Sequence, residues 1–284
     1  MPSLRSRLFQ RVMRLFLPRL SSGRPVKESR EKLERITYWT WFMTTWVDSQ
    51  HVIAKGVRSE FITPKKVNPS HAILYLHGGG YTICSPATHL GLAGRIAKRA
   101  KSYLLLPDYR LAPENPFPAA LEDALAAWNW LLAQGYREEH ISIGGDSAGG
   151  GLSLALALKL KETRKPLPAS IFLLSPWVDL SASGDFGRLY LTEGDLSNPF
   201  VSPVFGDLCS LPPVFIQVGG DDFLLKDSLS LEKKLITDGV QVRVEKWNGL
   251  WHVFQAFAPF FPEAQDAINT IGDFISANFP SQNP

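Results

Sequence analysis

The stretch Ile141-Ser-Ile-Gly-Gly-Asp-Ser-Ala-Gly-Gly-Gly-Leu152 constrains this chain more than any other. It opens as a short apolar run and tightens into glycines. It continues with Leu152, Leu154, Ala155, Leu156 and Leu158, spaced and composed like a buried helix. Gly145-Asp-Ser-Ala-Gly149 inside it matches G-x-S-x-G, the pattern of a strand that turns sharply into a helix with serine at the tip. Small residues two before and two after the serine let such a strained turn form without side-chain clashes. The Ser147 oxygen then points away from the sheet, and the N–H of Ala148 points at a developing oxyanion, aided by the positive end of the helix. Three fixed letters in five also recur by chance, and glycine-rich strand–helix turns hold phosphates as well. The rest of the chain has to supply the serine's partners.

The surrounding pattern predicts alternating strands and helices. Val57–Thr63, Ala72–Leu76, Ser102–Leu106, Ser170–Leu174, Val214–Val218 and Val242–Lys246 read as strands. Helices are expected at 26–47, 86–101, 119–133, 226–237 and 263–278. This rhythm means a mostly parallel central sheet with helices on both faces, an α/β fold.

The strand at Ala72–Leu76 runs into His77-Gly-Gly-Gly-Tyr81, where backbone N–H groups can approach a ligand closely. Gly78 and Gly79 are the expected oxyanion donors beside Ala148, and His77 is expected to anchor the loop. A phosphate-binding turn is the competing reading, but the Lys-Ser/Thr ending of a P-loop and the spacing of a dinucleotide fingerprint are missing.

In a sheet of this type the catalytic order is serine, acid, histidine. Of six histidines only His252 follows Ser147, in a loop after the last strand, which makes it the expected general base. The acid is expected in the loop after the preceding strand, which ends in Asp221-Asp222. One of the pair accepts the imidazole N–H, and either could instead cap the following helix. Spacing does not separate them, and Asp179 is a weaker candidate. Tyr81, Trp177 and Phe254 are candidate substrate-pocket walls, though each could equally be core.

A chain of 284 residues suffices for one large domain with a small accessory region. Two cysteines, Cys84 and Cys209, are too few for a disulfide framework and fit a reducing, cytoplasmic compartment. No Cys/His cluster has metal-ligand spacing, so no metal is expected, and the chemistry requires no organic cofactor. No apolar run reaches the length of a membrane span, and no nucleic-acid partner is implied.

Charge is uneven. Residues 1–35 hold ten Lys/Arg against three Glu, a net +7, which leaves −4 for the rest of a chain whose total is +3. Over residues 1–20, Leu8, Val12, Leu15 and Phe16 fall near one helical face with Arg7, Arg11 and Arg14 around it. Such a helix could touch a membrane surface, but it needs only a core to pack on, and the latter reading is preferred. The expected division is 1–46 as an N-terminal helical cap region and 47–284 as the catalytic domain, with 181–208 as a short cap insertion. An exposed last strand could pair two copies in a homodimer.

Taken together these residues resemble the hormone-sensitive-lipase family of α/β-hydrolases, the bacterial esterases in particular. The resemblance rests on His77-Gly-Gly-Gly-Tyr81, Tyr109-Arg-Leu-Ala-Pro-Glu114, Gly145-Asp-Ser-Ala-Gly-Gly150, Ser175-Pro-Trp-Val-Asp-Leu180 and His252, in family order from about Gly56 onward. It implies an α/β-hydrolase fold and a serine carboxylesterase that acts on short- to medium-chain acyl esters through Ser147, His252 and an aspartate. The family's acid motif aligns without gaps on Asp222-Phe-Leu-Leu-Lys-Asp227, which favours Asp222 over Asp221. Phe223 stands where the family has proline, and Lys226 where it has aspartate. The segment Leu180–Pro212 is short for a family cap, which leaves the pocket more open or covered mainly by residues 1–46. A lipase, amidase or lactonase would use the same residues. Plant gibberellin receptors resemble the family as non-catalytic binders, but they lack the histidine that is present here.

Overall fold

The computed structural model describes residues 3, 5, 6, 26–40 and 46–280. Eight strands form one sheet: β1 (Ser49–Ala54), β2 (Val57–Ile62), β3 (Ala72–Leu76), β4 (Tyr103–Pro107), β5 (Ile141–Asp146), β6 (Ser170–Leu174), β7 (Val214–Gly219) and β8 (Val242–Trp247). Their spatial order is β1-β2-β4-β3-β5-β6-β7-β8. β1 and β2 pair antiparallel, as do β2 and β4, and all later neighbours are parallel. Among the described residues seven helices accompany the sheet: α1 (Val26–Thr40), α2 (Pro86–Ala100), α3 (Ala119–Ala133), α4 (Ala148–Glu162), α5 (Asp185–Tyr190), α6 (Leu225–Thr237) and α7 (Pro262–Ala277). Parallel pairing requires crossovers, and α2 to α6, which lie between strands, supply them.

The sheet divides the core into two layers. Along β3, Ala72, Leu74 and Leu76 face the layer built with α3, α4 and α6, while Ile73 and Tyr75 face the layer built with α2 and α7. Every β3 side chain is buried, which is why this strand reads as an unbroken apolar run rather than an alternating one. Trp128 of α3 is the largest fully buried side chain. Truncating a residue of that kind to alanine typically costs about 3–5 kcal/mol. The start of α2 is fixed locally. Pro86 occupies its first turn, and the Thr88 hydroxyl accepts the Ser85 N–H at 3.1 Å and donates to the Ser85 carbonyl at 2.7 Å.

Two departures from the sequence reading stand out. β1 is an unanticipated strand, joined to β2 by Lys55-Gly56, both at positive φ. The expected 26–47 helix is helical over Val26–Thr40, and Trp46 lies in a turn with the Arg95 guanidinium 4.8 Å from its ring centre. Within 181–208 the chain forms only α5 and short 3-10 turns at Ser181–Ser183 and Pro203–Phe205. The amphipathic helix expected over residues 1–20 lies outside the described residues except at positions 3, 5 and 6. There the Ser3 and Ser6 hydroxyls reach Glu263 in the first turn of α7, at 3.0 and 3.4 Å. Among the described residues no helix is long and apolar enough to cross a membrane.

Candidate active site

Because β3, β5, β6, β7 and β8 run parallel, the loops that follow them open at one edge of the sheet. Those loops carry His77–Gly80, Ser147, Ser175, Asp222 and His252. Ser147 sits between β5 and α4 with φ 52° and ψ −122°, a backbone state that non-glycine residues rarely hold. Its neighbours over-determine it. The Ser147 N–H donates to Leu174 O at 2.9 Å, and its carbonyl accepts from Trp177 N at 2.9 Å and Gly150 N at 3.0 Å. The flanking glycines are required by contact: a Cβ on Gly145 would lie 2.1 Å from Leu76 O, and one on Gly149 only 2.0 Å from it. Ser202, by contrast, is buried in the segment between α5 and β7. Its hydroxyl donates to Leu196 O at 2.6 Å and accepts from Leu180 N at 2.8 Å.

Of the two adjacent aspartates, Asp222 meets the histidine. Its Oδ1 lies 3.0 Å from His252 Nδ1 and also accepts Leu224 N–H at 2.9 Å. Asp221 is exposed beside it. Burial would raise the Asp222 carboxyl, but the His252 hydrogen bond and charge outweigh it. The Ser175 hydroxyl and the Leu224 N–H add to this, so the group stays below the ordinary carboxylate value. A carboxylate only accepts, so Nδ1 of His252 carries the shared proton and Nε2 is left as the basic nitrogen. Ser175 couples the elements: it follows Leu174, which holds Ser147, and its hydroxyl accepts the Val253 N–H at 3.2 Å. Asp179, the weaker acid candidate, spends its carboxylate on the N–H groups of Ser181 and Ala182, at 3.0 and 3.3 Å.

The glycine loop corrects one expectation. Gly78 N–H is already donated to Asp146 Oδ1 at 3.1 Å. An amide committed to a buried carboxylate is a poor oxyanion donor, so Gly78 serves the loop instead. No hydrogen bond from the Gly79 or Gly80 N–H forms among the described residues. Gly79 has φ 115°, and a Cβ there would lie 2.1 Å from Ile83 O. Asp146 also accepts from Tyr75 Oη at 2.8 Å and pairs with His89 Nε2 at 3.3 Å.

His77 is an anchor. Its Nδ1 donates to Gly78 O at 2.8 Å, its carbonyl accepts from Tyr109 Oη at 2.6 Å, and its ring stacks on Tyr109. Burial, with the neighbouring His89, pushes its pKa down to about 3. From α1, Arg30 reaches over this loop, donating to Thr82 O at 2.7 Å, to Ala112 O at 2.7 Å, and to both carboxylate oxygens of Glu114.

The aromatic candidates are all buried. Tyr81 stacks on Tyr190 of α5 with ring centres 3.7 Å apart, and Trp177 lies 6.0 Å from Tyr81. Phe254 is wholly buried on the other side of the sheet against Trp247, so it is a core residue and not a pocket wall. The ring that does stand exposed beside His252 is Phe223, which sequence reasoning registered only as a departure from a motif. Asp146, His89, Ser175 and Arg30 went unassigned, because each acts through a contact distant in sequence.

A serine forced into a strained strand–helix turn, with a buried carboxylate paired to a half-buried imidazole on the same sheet edge, defines an α/β-hydrolase. Comparison with known proteins agrees. The family model described as alpha/beta hydrolase fold matches residues 73–256, and the chain belongs to that family, in its hormone-sensitive-lipase esterase branch. An acetyl-hydrolase of Streptomyces hygroscopicus is 37% identical over an alignment of 236 residues that covers 76% of this chain and 79% of that protein. The putative acetyl-hydrolase LipR of Mycobacterium tuberculosis is 34% identical over an alignment of 241 residues that covers 78% of each chain. Among solved structures, an esterase/lipase from an uncultured bacterium superposes with a TM-score of 0.91 at 36% identity, covering 97% of this chain and 99% of that one. The esterase EstE5, soaked with p-nitrophenyl butyrate, gives the same values. The protein is a serine ester hydrolase.

Proposed function

We propose that the protein is a carboxylesterase for short- to medium-chain acyl esters, with Ser147 as nucleophile, His252 as general base and Asp222 as its orienting acid. The observation that carries this reading is the 3.0 Å contact between Asp222 Oδ1 and His252 Nδ1 at the sheet edge where Ser147 is held at φ 52°. Ser147 Oγ attacks the ester carbonyl while His252 Nε2 takes its proton. The Gly79, Gly80 and Ala148 N–H groups stabilise the tetrahedral oxyanion, where one donor is typically worth about a hundred- to a thousandfold in turnover. His252 then protonates the leaving alcohol, and water hydrolyses the acyl-serine through the same base.

Tyr81 and Trp177, packed with Tyr190, back the acyl side. The chain-length preference is supported by relatives named acetyl-hydrolases and by the butyrate ester soaked into EstE5. The N-terminal region, with α1 latched by Arg30, and the short 181–208 segment act together as the cap. Two unpaired cysteines favour a cytoplasmic setting. The β8 edge is open to pairing with a second copy, which light scattering reports directly. Membrane contact would fall to residues 1–20.

The test is initial-rate hydrolysis of 4-nitrophenyl esters from acetate to palmitate, with Ser147→Ala alongside. Turnover highest on short chains and abolished in the variant is expected. Rates that climb with chain length, or that survive the substitution, would overturn the reading.

A further inference from the structure

Phe223 is the most exposed large apolar residue described, at 74%. Nothing in the core explains where its ring lies. The backbone on either side is fixed: Asp222 is buried by its bonds to His252 and Leu224 N, and Leu224 is buried in the core. The Leu225 N–H closes the turn on the Asp222 carbonyl at 3.1 Å. Phe223 therefore occupies the tip of a rigid turn, with its ring centre 4.4 Å from that of His252 at an interplanar angle of 39°. A solvent-facing phenyl keeps its apolar surface available to an apolar group that comes to rest on it.

The chemistry of the ester step says what passes there. In acylation the bond between carbonyl carbon and alkoxy oxygen breaks as the Ser147 Oγ–carbon bond stays formed. The proton taken from Ser147 goes from His252 to the departing oxygen. The alcohol portion of the ester must therefore leave alongside the imidazole, and the Phe223 ring is an exposed apolar surface that lies against that imidazole. We propose that Phe223 is a specificity-determining wall of the alcohol side, which favours esters of aromatic and bulky apolar alcohols over small aliphatic ones. This rests on the assignment of Ser147, His252 and Asp222 above.

The experiment compares kcat/KM for benzyl acetate and ethyl acetate in the wild type, Phe223→Ala, Phe223→Tyr and Ser147→Ala. Both esters give the same acetyl-enzyme, so their ratio isolates the alcohol side. At 74% exposure, neither Phe223 substitution disturbs the core. The benzyl-to-ethyl ratio is expected to fall about tenfold in Phe223→Ala and to be retained in Phe223→Tyr, the size of effect that one apolar contact supports. An unchanged ratio, including a parallel fall on both esters, would mean that Phe223 merely props His252, and would overturn the proposal while leaving the esterase reading intact. Activity that survives Ser147→Ala would overturn the catalytic assignment instead, and the proposal with it.

Discussion

The carboxylate of Asp146, next to Ser147 in the chain, accepts the amide proton of Gly78 at 3.1 Å. One buried side chain thus ties the nucleophile turn to the glycine loop that faces it. Positions that must agree to a fraction of an ångström during acyl transfer share a single bolt, and Tyr75 Oη and His89 Nε2 hold that bolt from behind.

Asp146→Asn keeps the shape of the side chain and loses its charge. An amide oxygen in the place of Oδ1 can still accept from both Gly78 and Tyr75, but an NH2 then replaces the oxygen that faces His89 and the charge of that pair is lost. Turnover should fall by about ten- to a hundredfold with KM little changed, the usual consequence of misplaced catalytic groups. Steady-state kinetics on 4-nitrophenyl acetate, with circular dichroism to show an intact fold, would test this. A rise in KM alone would contradict it.

The Asp146–His89 pair also makes stability depend on pH. Burial opposes the charged form of His89, but the Asp146 charge and hydrogen bond outweigh it and lift its pKa above the ordinary 6.5. Burial would raise Asp146, but His89 draws it below the ordinary 3.8. A raised histidine stabilises fully below its unfolded value and loses that contribution as pH climbs through the folded one. A lowered carboxylate stabilises above its unfolded value and loses that contribution as pH falls through the folded one. The pair is therefore worth most between those two ordinary values. The Tm difference between wild type and His89→Asn should be widest near pH 5 and shrink at alkaline pH. A gap that stays constant from about pH 5 to pH 9 would refute the coupling.

Asp222→Asn should reduce turnover by about ten-thousandfold, because an amide can stabilise the wrong imidazole tautomer and cannot support the imidazolium. Asp221→Asn, at the exposed neighbouring position, should cost far less. Comparing the two variants on one substrate separates residues that sequence spacing leaves tied. Equal losses would mean that the 3.0 Å contact is not the working one.

That tie shows where sequence reading reached its limit. β3 and β6 were legible to the residue because β3 is a five-residue apolar run and β6 a four-residue one behind Ser170, each wholly buried. β1 was not, because only Ala54 of its six residues is fully buried and Ser-Gln-His carries no alternation. The order of serine, acid and histidine followed from sheet type alone. Which amide of three consecutive glycines is spent on Asp146 is a fact of three-dimensional contact, and the choice of Gly78 failed for that reason. Phe254 misled for a related one: two residues after His252 the chain dives beneath the sheet, and hydrophobicity does not distinguish a pocket wall from core.

Arg30 extends the same logic to the N-terminal helix. Its guanidinium serves three acceptors at once: the Thr82 carbonyl beside the glycine loop, the Ala112 carbonyl and the Glu114 carboxylate. The ion pair is the weaker half. Glu114 is 56% exposed, and pairs of that kind contribute about 0–1 kcal/mol. A charged donor on a backbone carbonyl is typically worth about 1.5–3 kcal/mol. Glu114→Gln should therefore leave α1 in place, whereas Arg30→Ala should release it. Arg30→Lys should fail to rescue, because one ammonium cannot span the fork. Release would show as faster proteolytic cleavage within 26–40, together with a loss of about three- to tenfold in kcat/KM as the loop after Gly80 loosens. If Arg30→Ala is cleaved no faster than the wild type, α1 is held by its other contacts and Arg30 is not the latch.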